Sequence, residues 1–174
     1  RASLKDNRIG KFNEDDDVDF VGEGEVFTGH LVKGLPEGHG KLVYNDSDDD
    51  QDKKCYEGDF KAGVYHGQGR LEYVNGDVYD GDFVDGIYSG LGTWTGADGE
   101  IYNGSFMDGL KDGRGRLVSP EGAISIGTWA AGTLDKESAL QFPPGQQPDQ
   151  VECGECGPRY NAIGESTPRD CCGN

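Results

Sequence analysis

The chain has 174 residues, 30 of them glycine, and its 33 acidic against 16 basic side chains leave a formal charge of −17. That balance repels nucleic-acid phosphates and anionic lipid headgroups, both of which are bound by clustered Lys and Arg. No stretch approaches the roughly 18–20 apolar residues that span a bilayer as a helix.

In chain order, residues 1–26 form an acidic segment whose densest run is Glu14-Asp15-Asp16-Asp17 with Asp19. Within it, Gly10-Lys11-Phe12 matches Gly40-Lys41-Leu42 further on and reads as a degenerate half-repeat. From Phe27 to about residue 135 the chain repeats itself. Tyr56, Tyr79 and Tyr102 stand 23 residues apart, and each is followed by glycines at offsets of two, seven, eleven, thirteen and twenty. Such a fixed period marks small units that stack because none can bury its apolar face alone. Phe27, Gly29, Gly34, Gly38 and Gly40 carry the same signature, but 29 residues separate Phe27 from Tyr56. The extra residues form a second acidic run over 46–54, with Asp46, Asp48, Asp49, Asp50 and Asp52.

Within each unit, period-two patterning predicts strands. Tyr56-Gly58-Phe60, Tyr79-Gly81-Phe83 and Tyr102-Gly104-Phe106 form one face, and acidic or amide side chains form the other. The second strand follows as Gly69-Leu71-Tyr73 or Gly92-Trp94, so each unit is an amphipathic hairpin, with Trp94 filling core at the place of Leu71 and Leu117. Glycine between large rings leaves space for a ring from a neighbouring strand. Asn75-Gly76, Asp98-Gly99 and Glu121-Gly122 are expected as the tight turns between units, and the order is strand, loop, strand, tight turn. Ser125, Gly127, Trp129 and Gly132 close the array as a terminal half-unit with serine in the aromatic place.

The spacing Y-x-G-x4-G-x3-G-x-G-x6-G resembles the MORN-repeat family over residues 27–135. The resemblance implies an all-β fold: an elongated single-layer antiparallel meander, rolled into a groove. It also implies a scaffold or targeting role, since members occur in ciliary and cytoskeletal assemblies, in junctional and lipid-kinase proteins, in plastid division and beside a SET-type methyltransferase domain. Two function classes follow. One is a non-enzymatic structural subunit, either cytoskeletal or ciliary, or peripheral in an organellar and photosynthetic membrane complex. The other is the regulatory region of a larger enzyme.

Candidate contact residues lie off the ladder. The two acidic runs are expected to project from one sheet edge, either as solvated loops or as a docking patch for a basic protein surface. Tyr65 and Tyr88, at one offset in the loops of the opposite edge, either meet a partner or fold back over the groove. An EF-hand register from Asp46 to Glu57 fails at Gln51, where the sharp turn wants glycine, and its flanks are strands. His30, His39 and His66 share no useful spacing, and neither a nucleophile elbow nor a phosphate loop is present. No cofactor is implied by the repeats. After residue 136 a Pro/Gln-rich linker leads to Cys153, Cys156, Cys171 and Cys172, which suit two disulfides or a zinc site, while Cys55 reads as a half-buried thiol. Arg1 in place of methionine fits a processed N-terminus or an artificial start, and with the cysteines it tilts the compartment toward a plastid rather than the cytoplasm.

Overall fold

The computed structural model describes residues 18–21, 24–45, 53–137 and 139–148, and every element in them is a β-strand. In chain order these are β1 (Val18–Val21), β2 (Glu25–Val32), β3 (Leu35–Tyr44), β4 (Lys53–Lys61), β5 (Val64–Tyr73) and β6 (Val78–Val84). They continue as β7 (Ile87–Thr95), β8 (Ile101–Met107), β9 (Leu110–Val118), β10 (Ile124–Ala130), β11 (Thr133–Leu134) and β12 (Leu140–Phe142). Each strand pairs antiparallel with the next from β1 to β11, and β12 returns to β10, giving one meandering sheet. The predicted single-layer meander of stacked hairpins is the fold observed.

The sheet reaches past both expected limits of the array. At the start, β1 pairs with β2 in a register that sets Phe20 opposite Phe27, as Leu42 is set opposite Tyr56 in the next unit. Asp19 is in this strand rather than in a loop, and Gly10-Lys11-Phe12 and Glu14–Asp17 lie outside the described residues. At the end, β11 and β12 share the outer edge of β10, so Leu140–Phe142, which fall within the segment expected to be a linker, are in the sheet.

The register explains the glycines. Gly29, Gly40, Gly58, Gly69, Gly81, Gly92, Gly104, Gly115 and Gly127 pair in sequence across nine strands, forming one line through the sheet. Over this line lie the leading rings. The hydroxyls of Tyr56, Tyr79 and Tyr102 donate to the carbonyls of Asp59, Asp82 and Ser105 at 2.8, 3.0 and 3.1 Å, which lays each ring along its own strand. A Cβ on Gly58, Gly81 or Gly104 would stand 2.7–2.8 Å from the hydroxyl of its own unit's tyrosine. Only glycine leaves that seat open.

The rings also join unit to unit. Phe27–Phe60, Tyr56–Phe83, Tyr79–Phe106 and Tyr102–Trp129 meet edge-on with centroids 5.0–5.2 Å apart, each pair linking one unit's leading ring to the next unit's second ring. Aromatic pairs of this geometry add about 0.5–1.5 kcal/mol beyond their burial. Tyr56, Tyr79 and Tyr102 are fully buried, so one face of a single sheet makes a continuous core.

Turn chemistry is the reverse of the expectation. The tight two-residue turns fall inside the units, at Lys33-Gly34, Ala62-Gly63, Asp85-Gly86, Asp108-Gly109 and Ala131-Gly132, with both residues at positive φ. This type I′ geometry matches strand twist and favours glycine second, while the first residue tolerates the left-handed region at a cost. The Asn75-Gly76 class instead lies in connections of four or five residues, closed by bonds such as Gly76 N to Tyr73 O at 3.1 Å and Tyr73 N to Asp77 O at 2.9 Å. The last four of these turns are each tied to the preceding unit: Gly63, Gly86, Gly109 and Gly132 donate to the carbonyls of Pro36, Tyr65, Tyr88 and Lys111 at 2.8–3.0 Å.

Candidate interaction surface

The second strand of each unit starts immediately after the tight turn, which changes the place of two predicted contact residues. Tyr65 and Tyr88 are in β5 and β7, not in loops. Tyr65 is 5% exposed and stacks on Tyr56 with centroids 3.8 Å apart; Tyr88 stacks on Tyr79 at 4.0 Å. Their hydroxyls pair with those of Tyr44 and Tyr73. Burial, then the neighbouring Tyr44, raises the Tyr65 phenol far above its ordinary range. These tyrosines are a second layer of the core, so the outward reading of the pair does not hold and the fold-back reading does. Sequence spacing located them but could not show which way a strand with a bulge turns them. In the fourth unit Lys111 takes this seat, with Nζ 5.1 Å from the Tyr102 ring centroid and 2.7 Å from Glu100 Oε1.

The opposite face carries the polar side chains of the strands. One cross-strand row runs Lys41, Glu57, Arg70, Asp80, Thr93, Asn103 and Arg116 in direct register. Lys41 Nζ lies 3.0 Å from Glu57, Arg70 Nη1 lies 3.7 Å from Asp80, and Asn103 Nδ2 donates to Thr93 Oγ1 at 2.7 Å. The Glu72 carboxyl is held below its usual range by hydrogen bonds from Lys54, then Arg70. Between β5 and β9 this face holds an open groove of about 640 Å³, lined by Gln68, Asp80, Asp82, Leu91, Thr93 and Asn103, with Arg114 at its side. Asp82 is fixed there: Oδ2 accepts from Leu91 N at 2.9 Å and Oδ1 from Gln68. The bulge glycines make room for it, since Gly90 at φ +72° sits under the Asp82 side chain and Gly67 at +67° under Asp59.

Four segments, residues 27–49, 56–78, 79–101 and 102–124, match the family model of the MORN repeat and together cover just over half of the chain. The chain belongs to the MORN-repeat family. No curated protein matches it beyond that. A MORN array is a repeat module for protein–protein or membrane interaction. The matched boundaries at 56, 79 and 102 coincide with the leading tyrosines, and the acidic insertion over 46–54 straddles the end of the first match and the gap that follows it.

The remaining sequence-predicted residues are only partly placed. Asp46, Asp48, Asp49, Asp50 and Asp52 lie outside the described residues, as do Cys153, Cys156, Cys171 and Cys172. Glu57, the last position of the EF-hand register, is in β4 and paired with Lys41. Cys55 is a half-buried free thiol, and burial raises its pKa. Trp94 packs against the core as expected. Among the described residues no group of three His, Cys, Asp or Glu side chains is arranged to hold a metal ion, and no helix is long and apolar enough to cross a membrane.

Proposed function

We propose that this chain is a non-enzymatic scaffold subunit that holds other protein chains in a larger assembly through the outer face of its MORN array. The observation that carries this reading is the allocation of side chains. Among the described residues of the four repeat units the large rings pack in or against the core, Tyr65 and Tyr88 included, while the outer face presents fixed, exposed polar groups around an open groove. Preorganised polar groups on a rigid sheet favour specific protein contact. With a charge of −17, the complementary partner surface is basic.

The settings that suit this role are a cytoskeletal or ciliary assembly and the periphery of an organellar membrane complex. Cross-linking mass spectrometry on native extract tests the reading. The expected result is a set of links from Lys41, Lys54, Lys61 or Lys136 to other proteins, together with elution in a complex. Elution as an isolated chain with links only within itself would overturn it.

A further inference from the structure

The five tight turns are aligned along one edge of the sheet, and the residues closing them are exposed and apolar in three units. Val32 pairs with Leu35, Val84 with Ile87 and Met107 with Leu110, each pair standing on the outer face beside its turn. Their exposures run from 41% to 55%. The fold does not demand such side chains there, because Lys61 and the Ala130–Thr133 pair hold the same positions in other units. Neighbouring turns touch in two places: Leu35 reaches the Gly63 turn and Ile87 the Gly109 turn, their side-chain atoms 3.3 and 3.5 Å from where a Cβ would stand, so the Val84–Ile87 and Met107–Leu110 pairs adjoin. Leu91, 67% exposed, extends the row toward the groove.

Charge is arranged with this row. The first turn residue is Asp85 between Val84 and Ile87, and Asp108 between Met107 and Leu110, where the other units have Lys33, Ala62 and Ala131. The Asp85 side chain is 81% exposed. Acid and apolar surface therefore coincide in two adjacent units. Exposed apolar surface bordered by like charges marks a docking site for an amphipathic segment of opposite charge. Spacing selects its shape. Successive turns are two strands apart, about 10 Å at a strand spacing near 4.8 Å, and an α-helix rises about 10.5 Å in seven residues. A helix laid along the turn edge would set one apolar residue on each pair and bring flanking Lys or Arg to Asp85 and Asp108.

We infer that the row formed by Val84, Ile87, Met107 and Leu110 with Asp85 and Asp108 docks a basic amphipathic helix of a partner protein, its apolar residues repeating every seven. This rests on the scaffold reading and assigns it a surface. The probe is a synthetic lysine-rich peptide with leucine at i, i+3, i+7 and i+10, compared with a peptide of the same composition in scrambled order. The full chain is expected to bind the first at least tenfold more tightly than the second. The double variant Ile87→Thr/Leu110→Thr, which keeps strand-forming residues, weakens binding tenfold or more with an unchanged circular dichroism spectrum and Tm. Asp85→Asn/Asp108→Asn flattens the salt dependence, and Asn103→Ala in the groove leaves the affinity within twofold. Equal binding of both peptides, or no effect of the threonine variant, overturns the inference. So does loss of binding to phosphatidylserine vesicles in that variant with peptide binding intact, which would make the row a membrane contact. A photo-cross-linking residue at 87 or at 103 in the native source separates this from the broader reading. Protein links from 103 alone leave the scaffold and remove the docking row, while none from either position removes both.

Discussion

Lys111 Nζ stands over the ring of Tyr102 in the seat where Tyr88 stacks on Tyr79 one unit earlier. The exchange is local and self-consistent. Tyr88 needs a phenolic partner, which Tyr73 supplies; the residue at that offset in the next unit is Gly96, and Lys111 instead reaches Glu100 at 2.7 Å. Lys111→Ala is expected to cost about 1–2 kcal/mol by loss of the cation–π contact and a charge-assisted hydrogen bond, while Lys111→Tyr recovers the stacking alone. Urea unfolding of the three proteins measures the ranking wild type, then Tyr, then Ala.

Glycines that look equivalent in the sequence differ in what surrounds them. A Cβ on Gly92 would collide with the Tyr79 ring, whereas nothing lies within 4 Å of one on Gly86, whose constraint is φ +85°. Gly92→Ala is expected to destabilise by about 2–3 kcal/mol through overpacking, and Gly86→Ala by about 1–2 kcal/mol through left-handed strain. Only the first should perturb near-ultraviolet circular dichroism, because only it moves a tyrosine.

Phe83 meets Tyr56 and Tyr65 in one unit and Tyr79 and Tyr88 in its own. Phe83→Ala should therefore cost about 3–5 kcal/mol and uncouple the two units. In an array whose stability sums over neighbouring interfaces, hydrogen exchange is expected to show two separate opening events on either side of β6, where the wild type shows one. Uniform protection loss across the sheet would contradict that expectation.

Alkaline pH should unfold the array cooperatively. Burial, followed by nearby Asp77 or Asp112, pushes the Tyr73 and Tyr102 phenols up to about 12 from 10, and burial raises Tyr56, Tyr65 and Tyr79 further. In that interval the unfolded chain has released phenolic protons that the folded one retains. Stability is thus full below about pH 10 and falls between pH 10 and 12, with a slope set by the number of phenols involved. Urea midpoints across this range, read together with phenolate absorbance, should show ionisation and unfolding occurring together.

The architecture was legible from the chain because the 23-residue period constrains every strand at once. Tyr, Gly and Phe at offsets zero, two and four can satisfy only one face. Turn type was not legible in the same way. Asn75-Gly76 carries the stronger hairpin signature, yet Ala62-Gly63 makes the tight turn, because interlocking of adjacent units fixes Ala62 in a conformation its own preference opposes. Tyr65 and Tyr88 were located but not oriented, since the glycine bulges that reset strand parity have no signature beyond glycine itself. The apolar turn edge has no signature of its own among strand-forming residues: Val84 or Leu110 reads the same whether it faces core or solvent.

The bonds between successive turns all run the same way, the donor in the later unit and the acceptor carbonyl in the earlier one. Edge-on ring contacts share this polarity, with each leading ring waiting for the following unit's second ring. The array therefore has a direction: each unit leaves its leading ring and one turn carbonyl to be covered by the unit that follows, so removing a unit from the C-terminal end would uncover both.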